Sequence, residues 1–266
     1  MKLHVQGHEA YAYTGGKAFD PVLPCVVFIH GALNDHSVWT LLARWFAHHG
    51  YGVLAVDLPA HGRSAGPPPA DVQAAADWVL ALLDAARVPR AALVGHSMGS
   101  LIALEAAARA PERATHLAMV GTAYPMAVSD ALLTLSRDAP LQAIDKVAAL
   151  SHATLAAKPS YPGPGAWLHG GSRALMRQVQ QRWPQGNLFH HDFSVCNAYA
   201  HGLEAAARLQ CPATLILGRE DQMTRPQAAQ GLAQALRAQV HTVPGGHVPM
   251  AEAPDQVLGI LRPVLG

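Results

Sequence analysis

Residues 95–99 read Gly95-His96-Ser97-Met98-Gly99, a G-x-S-x-G pattern. It directly follows the apolar run AALVG and opens the Ala-rich segment SLIALEAAARA, the strand-to-helix setting this pattern needs. Two glycines leave room for a sharp turn. The serine between them is then strained, exposed and set at a helix N-terminus, where free N–H groups favour an oxyanion. A serine hydroxyl attacks a carbonyl only after a base takes its proton, and the base needs a third group to fix its tautomer. The bland alternative is a serine that only caps the helix.

The base and its orienter are expected downstream, acid before histidine. A suitable acid lies in LILGREDQMT, where Asp221 is the choice and Glu220 its close rival. The histidine is His247, in VPGGHVPMAEAP after the last expected strand. Two main-chain donors would complete the chemistry. One is the N–H of Met98; the other is that of Ala32, with Leu33 as the alternative, in the His30-Gly31 strand exit. The chain has 16 histidines, most of them expected at the surface or in packing. No H-E-x-x-H or comparable ligand spacing is present, so neither metal nor cofactor is expected.

These residues must be carried by alternating strands and helices. Apolar runs at 25–30, 52–58, 91–96, 116–121, 213–218 and 238–243 read as strands covered on both faces, after an antiparallel pair within 2–14. Helices are expected at 37–48, 71–87, 98–109, 226–237 and 254–262, with Asp71 as an N-cap and Pro226 in a first turn. The fold class is α/β, with about eight mostly parallel strands. Between the runs near Val120 and Ala213 lie about 90 residues without a clear strand, including the Pro- and Gly-rich stretch 158–171. Residues 124–195 are therefore expected to form a helical cap inserted into a core of 1–123 and 196–266.

Charge is balanced, with 19 basic and 18 acidic residues, which favours neither a nucleic-acid partner nor a strongly charged membrane surface. Half of the residues are apolar, yet no run approaches the ~18 uninterrupted apolar residues of a membrane span. Three scattered cysteines fit a reducing compartment, and with no apolar leader the expected location is cytoplasmic. A monomer or homodimer is expected.

With these residues in hand, the chain resembles the α/β-hydrolase superfamily along nearly its whole length. Within it, the resemblance is to the capped esterase, C–C hydrolase and perhydrolase-like branch. It is carried by HGALNDHSVW (30–39), AVDLPAHGRS (55–64), VGHSMGS (94–100), LILGREDQMT (215–224) and GGHVPMAEAPDQV (245–257). Ala60 stands where the family usually has glycine. The resemblance implies Ser97, Asp221 and His247 as a triad, with Ala32 and Met98 as oxyanion donors. It also sets aside dehalogenase and epoxide hydrolase chemistry, which places aspartate at the serine's position.

The expected activity is hydrolysis of a carboxylic ester or related acyl compound through an acyl-enzyme. Alternatives are C–C hydrolysis of an aromatic-degradation diketone, perhydrolysis or acyl transfer, and a non-catalytic ligand-binding homologue. C–C hydrolysis requires a group to bind the substrate's carboxylate, a role open to Arg173 and Arg177, one helical turn apart. An apolar pocket is expected from Leu33, Tyr124, Met126, Trp167, Trp183 and Val248, with Tyr161, Met176, Phe189 and Phe193 supplying further bulk.

Overall fold

Apolar runs bounded by turn residues become the strands of a single sheet in the computed structural model, which describes residues 1–156 and 166–265. The strands are β1 (Lys2–Val5), β2 (His8–Tyr13), β3 (Cys25–Ile29), β4 (Gly52–Val56), β5 (Ala91–His96), β6 (Ala114–Val120), β7 (Ala213–Gly218) and β8 (Gln239–Val243). Their order is β1-β2-β4-β3-β5-β6-β7-β8. β1 and β2, and β2 and β4, pair antiparallel; every other neighbouring pair is parallel.

Every residue of β3, β4, β5 and β7 is buried. Successive side chains point to opposite faces, so both faces need an apolar cover. Val26, Phe28, Val53 and Val94 face one layer, where they meet Trp39, Leu42 and Phe46 together with Val257 and Leu261. That layer holds α1 (Thr40–His48), which follows a 3₁₀ turn at His36–Trp39. Val27, Ile29, Leu54 and Leu93 face the other layer, packed on Val79, Leu82, Leu101 and Leu104. These come from α2 (Val72–Ala85) and α3 (Met98–Arg109). Asp71 caps α2 by accepting the Ala74 N–H at 2.7 Å, as its position after the Pro-rich loop predicts.

Between β6 and β7 the chain inserts α4 (Asp130–Asp138), α5 (Pro140–Leu150), α6 (Leu168–Arg182) and α7 (Leu188–Ala198) before returning through α8 (Gly202–Arg208). Most of the stretch 158–171, with Tyr161, lies outside the described residues. After β7 come a 3₁₀ turn at Pro226–Ala229, α9 (Gln230–Leu236), β8, α10 (Pro249–Glu252) and α11 (Pro254–Leu265). No described helix is long and apolar enough to cross a membrane. All three cysteines are unpaired.

Candidate active site

The strand order turns over at β3, with β4 on one side and β5 on the other. Loops leaving the carboxyl ends of β3 and β5 therefore diverge and leave a crevice. Ser97 stands in it, directly after β5 and before the first residue of α3. Its backbone sits at φ +52°, ψ −121°, a conformation L-residues avoid and that the surroundings must enforce. Enforcement comes from close packing: a Cβ at Gly95 would strike the Gly99 carbonyl, and one at Gly99 would strike the carbonyls of Ile29 and His30. The Ser97 N–H is held by Val120 O at 3.0 Å.

Turns after β7 and β8 bring Asp221 and His247 together. His247 Nδ1 lies 2.9 Å from Asp221 Oδ2, and both side chains are buried. A carboxylate only accepts, so Nδ1 carries the proton and Nε2 is left with a lone pair. Asp221 Oδ1 accepts the N–H groups of Met223 and Thr224, each at 2.8 Å, while the Thr224 hydroxyl donates to Oδ2 at 2.7 Å. Burial pushes this carboxyl up, but the His247 ring and the converging donors outweigh it and hold it below the ordinary carboxylate value. Glu220 is exposed and accepts the Gly245 N–H at 2.7 Å, which braces the loop before His247. The two acids are thus separated by what they touch.

His247 is also fixed through its main chain. Its N–H donates to Ser151 O at 2.8 Å, and its carbonyl accepts from His96 Nε2 at 2.8 Å. Burial, with the neighbouring His247 ring, pushes His96 down to about 3, so this ring is neutral. Ser97 and His247 line one cavity of about 260 Å³. No hydrogen bond joins Ser97 Oγ to the ring among the described residues; such contacts often tighten only when substrate binds.

Ala32 lies on the same cavity. Neither its N–H nor that of Met98 donates a hydrogen bond among the described residues, and Met98, first in α3, has no helical acceptor. The Leu33 N–H is different: it donates to Asp192 Oδ2 at 2.8 Å, which removes it as a free donor.

The cavity walls include Met126, Val128, Leu132, Leu150, Phe193 and Cys196. A second cavity of about 360 Å³ is lined by Val38, Trp167, Leu168, Leu175, Val248 and Met250. A narrow space of about 40 Å³ touching Ser97, Met176, His247 and Val248 lies between them. Leu33 is fully buried beneath the site. Tyr124 packs on Gly202 and bonds to Ala200 O, and Trp183 caps the end of α6; neither lines these cavities. Phe189 is core, packed at a tilt against Phe193. Arg173 and Arg177 both bind Asp145, at 2.6 and 2.8 Å. No described Lys or Arg lines any of the three spaces.

Sequence reasoning passed over Thr224 and His96, though both lie within quoted motifs, and Asp192, which no motif marks. Among the described residues, one group has metal-ligand chemistry: Asp35, His36 and Asp57, with donor atoms within 4.8 Å of one another. These carboxylates hold local main chain and ring groups: Asp57 takes His36 N, His36 Nδ1 and Arg63 N, and Asp35 Oδ1 takes Ser37 N.

The chain is 34% identical over 226 residues to a pimeloyl-[acyl-carrier protein] methyl ester esterase of Chromobacterium violaceum, covering 80% of this chain and 82% of the relative. Its fold matches an esterase from Exiguobacterium antarcticum with a TM-score of 0.82 at 15% identity, over 100% of this chain and 98% of the other. It also matches Est816, an N-acyl homoserine lactone degrading enzyme, with a TM-score of 0.79 at 21% identity over 99% of both chains. The alpha/beta hydrolase family matches residues 26–260, and the chain belongs to that family.

Proposed function

We propose that the protein is a serine hydrolase that cleaves a carboxylic ester, or a related acyl compound, with uncharged apolar groups around its carbonyl. One observation carries the reading. A serine held in a strained turn at a helix N-terminus shares a cavity with a histidine whose far nitrogen is bound to a buried carboxylate.

His247 Nε2 takes the Ser97 proton as Oγ attacks the acyl carbonyl. Asp221 keeps the ring in the right tautomer and stabilises the imidazolium that forms. The tetrahedral oxyanion is received by the N–H groups of Ala32 and Met98 at the positive end of α3. The imidazolium returns its proton to the leaving oxygen, the C–O bond breaks, and an acyl-Ser97 ester remains. Water, deprotonated by the same ring, adds to that ester and releases the acid. Residues 124–195 act as a cap, supplying Met126, Val128, Leu132 and Phe193 to the apolar wall.

An apolar lining supports uncharged groups, because an unpaired carboxylate there is left desolvated. The same point weighs against a C–C hydrolase of carboxylated diketones, since both candidate arginines are taken by Asp145. The test is hydrolysis of p-nitrophenyl acetate and butyrate by wild type and Ser97→Ala. Expected is turnover that the substitution abolishes; equal rates contradict the reading.

A further inference from the structure

Asp192 is carried by α7 in the insertion, yet its carboxylate reaches down to the main chain beside the nucleophile. Oδ2 accepts the Leu33 N–H at 2.8 Å and faces His61 Nε2 at 2.9 Å. Both side chains are nearly fully buried, with relative exposures of 3% and 1%. The other nitrogen of His61, Nδ1, lies 2.9 Å from Pro59 O. Each ring nitrogen thus faces an oxygen that only accepts, so the ring carries both protons and is a cation. A buried charge persists only when paired and hydrogen-bonded, and here it is both.

The remaining charged and titratable neighbours fit that assignment. His30, directly after β3, packs against His61 with ring centroids 4.9 Å apart and the rings tilted by 49°. It is neutral: its Nε2 accepts the Leu58 N–H while Nδ1 donates to Gly31 O, and burial pushes it down to about 4. Asp57, at the end of β4, adds negative charge on the other side. Burial lowers His61, but Asp192, the Pro59 carbonyl and Asp57 outweigh it and hold the ring above its ordinary value.

What this pair holds is a strained segment. Leu33 has φ +52°, a left-handed conformation that a branched aliphatic residue does not choose. With its N–H drawn to Asp192, Leu33 is turned away from the cavity, and the preceding N–H, that of Ala32, is the one left without a partner beside Ser97. We infer that Asp192, with His61 as its counter-ion, is a positioning residue through which the cap sets the main-chain donor at Ala32 for the oxyanion. This rests on the serine-hydrolase reading. On this account the cap is part of the catalytic apparatus and does more than close over substrate.

Asp192→Ala removes the acceptor. Asp192→Asn keeps an oxygen for the Leu33 N–H but withdraws the charge that keeps His61 protonated. Both are compared with wild type on p-nitrophenyl butyrate and for affinity toward a trifluoromethyl ketone, which forms a hemiketal oxyanion on serine. For Asp192→Ala, a kcat at least about tenfold lower is expected, with KM within about threefold and ketone affinity reduced by the factor lost in kcat. For Asp192→Asn, kcat falls less than in Asp192→Ala, and the fall in kcat expected of wild type as His61 loses its proton at alkaline pH disappears. A folded Asp192→Ala with wild-type kcat and ketone affinity overturns the inference. If the alanine variant does not fold, an asparagine variant retaining the wild-type alkaline fall overturns it. Wild type that neither turns over ester nor binds the ketone overturns the serine-hydrolase reading, and this role with it. An active wild type with an indifferent Asp192 overturns the role alone.

Discussion

His96 donates from Nε2 to the backbone carbonyl of His247 at 2.8 Å, so the residue beside Ser97 holds the main chain of the histidine proposed to serve it. The 151 positions between them are bridged by one buried hydrogen bond, with the two rings 4.8 Å apart. His96→Ala leaves that carbonyl unpaired and opens space under the ring. A fall in kcat of about tenfold to a hundredfold is expected, with little change in KM, because a misplacement of about 1 Å has that effect. His96→Gln retains an N–H donor and should recover most of the loss. Steady-state kinetics on folded variants checks both.

Asp221 and Glu220 separate cleanly by substitution. Asp221→Asn keeps the shape but favours the wrong tautomer of His247, and kcat should fall by about 10³–10⁴. Glu220→Gln still accepts the Gly245 N–H, and activity should stay within about threefold. Comparable losses in the two variants contradict the roles given to these acids.

Stability should peak near neutral pH for opposed reasons. His30 and His96 are held neutral, at about 4 and about 3, so an unfolded chain binds protons that the folded one does not. Folding stability is therefore lost as pH falls from about 6.5 through those values. His61 is shifted the other way: its contribution is complete below 6.5 and disappears as pH rises through its higher folded value. Asp221, held low, contributes above 3.8 and is lost only in stronger acid. Urea denaturation from pH 5 to 9 should show wild type losing stability on the alkaline side and Asp192→Asn losing much less. Parallel curves contradict a charged His61.

Acyl-chain selectivity follows from the cavity walls. Each methylene buried against Met126, Leu132 and Phe193 is worth about 0.8 kcal/mol, or roughly fourfold in kcat/KM, until the space of about 260 Å³ is filled. A terminal carboxylate on the same chain should lower kcat/KM by at least about a hundredfold, since no described Lys or Arg lines the space to meet it. A p-nitrophenyl ester series with and without the carboxylate measures both effects.

Much of this was legible in the residues. Buried parallel strands announce themselves as unbroken apolar runs, and β3, β5 and β7 fall within a residue of their expected bounds. A serine between glycines at a strand-to-helix junction, and a histidine after the last strand, locate the crevice. Asp221 was preferred to Glu220 on no decisive signal, because adjacent loop residues differ only in the turn that aims them. The contact between Asp192 and His61 spans 131 positions and joins an insertion helix to a core loop, so no local pattern signals it. Leu33 read as a pocket wall, but its left-handed backbone buries the side chain and aims its N–H at Asp192. Insertion helices α4 to α7 were legible only as a class, since they are short and the Pro- and Gly-rich stretch 158–171 runs into the start of α6.

The central claim is that Ser97 carries the acyl group between two half-reactions. Rapid quenching of the protein with p-nitrophenyl butyrate, followed by digestion and mass measurement, tests it directly. A butyryl mass increment on the peptide containing Ser97, formed with the burst of p-nitrophenol and absent in Ser97→Ala, is the predicted result. Ester turnover with that peptide unmodified, or with the increment on another residue, contradicts the account.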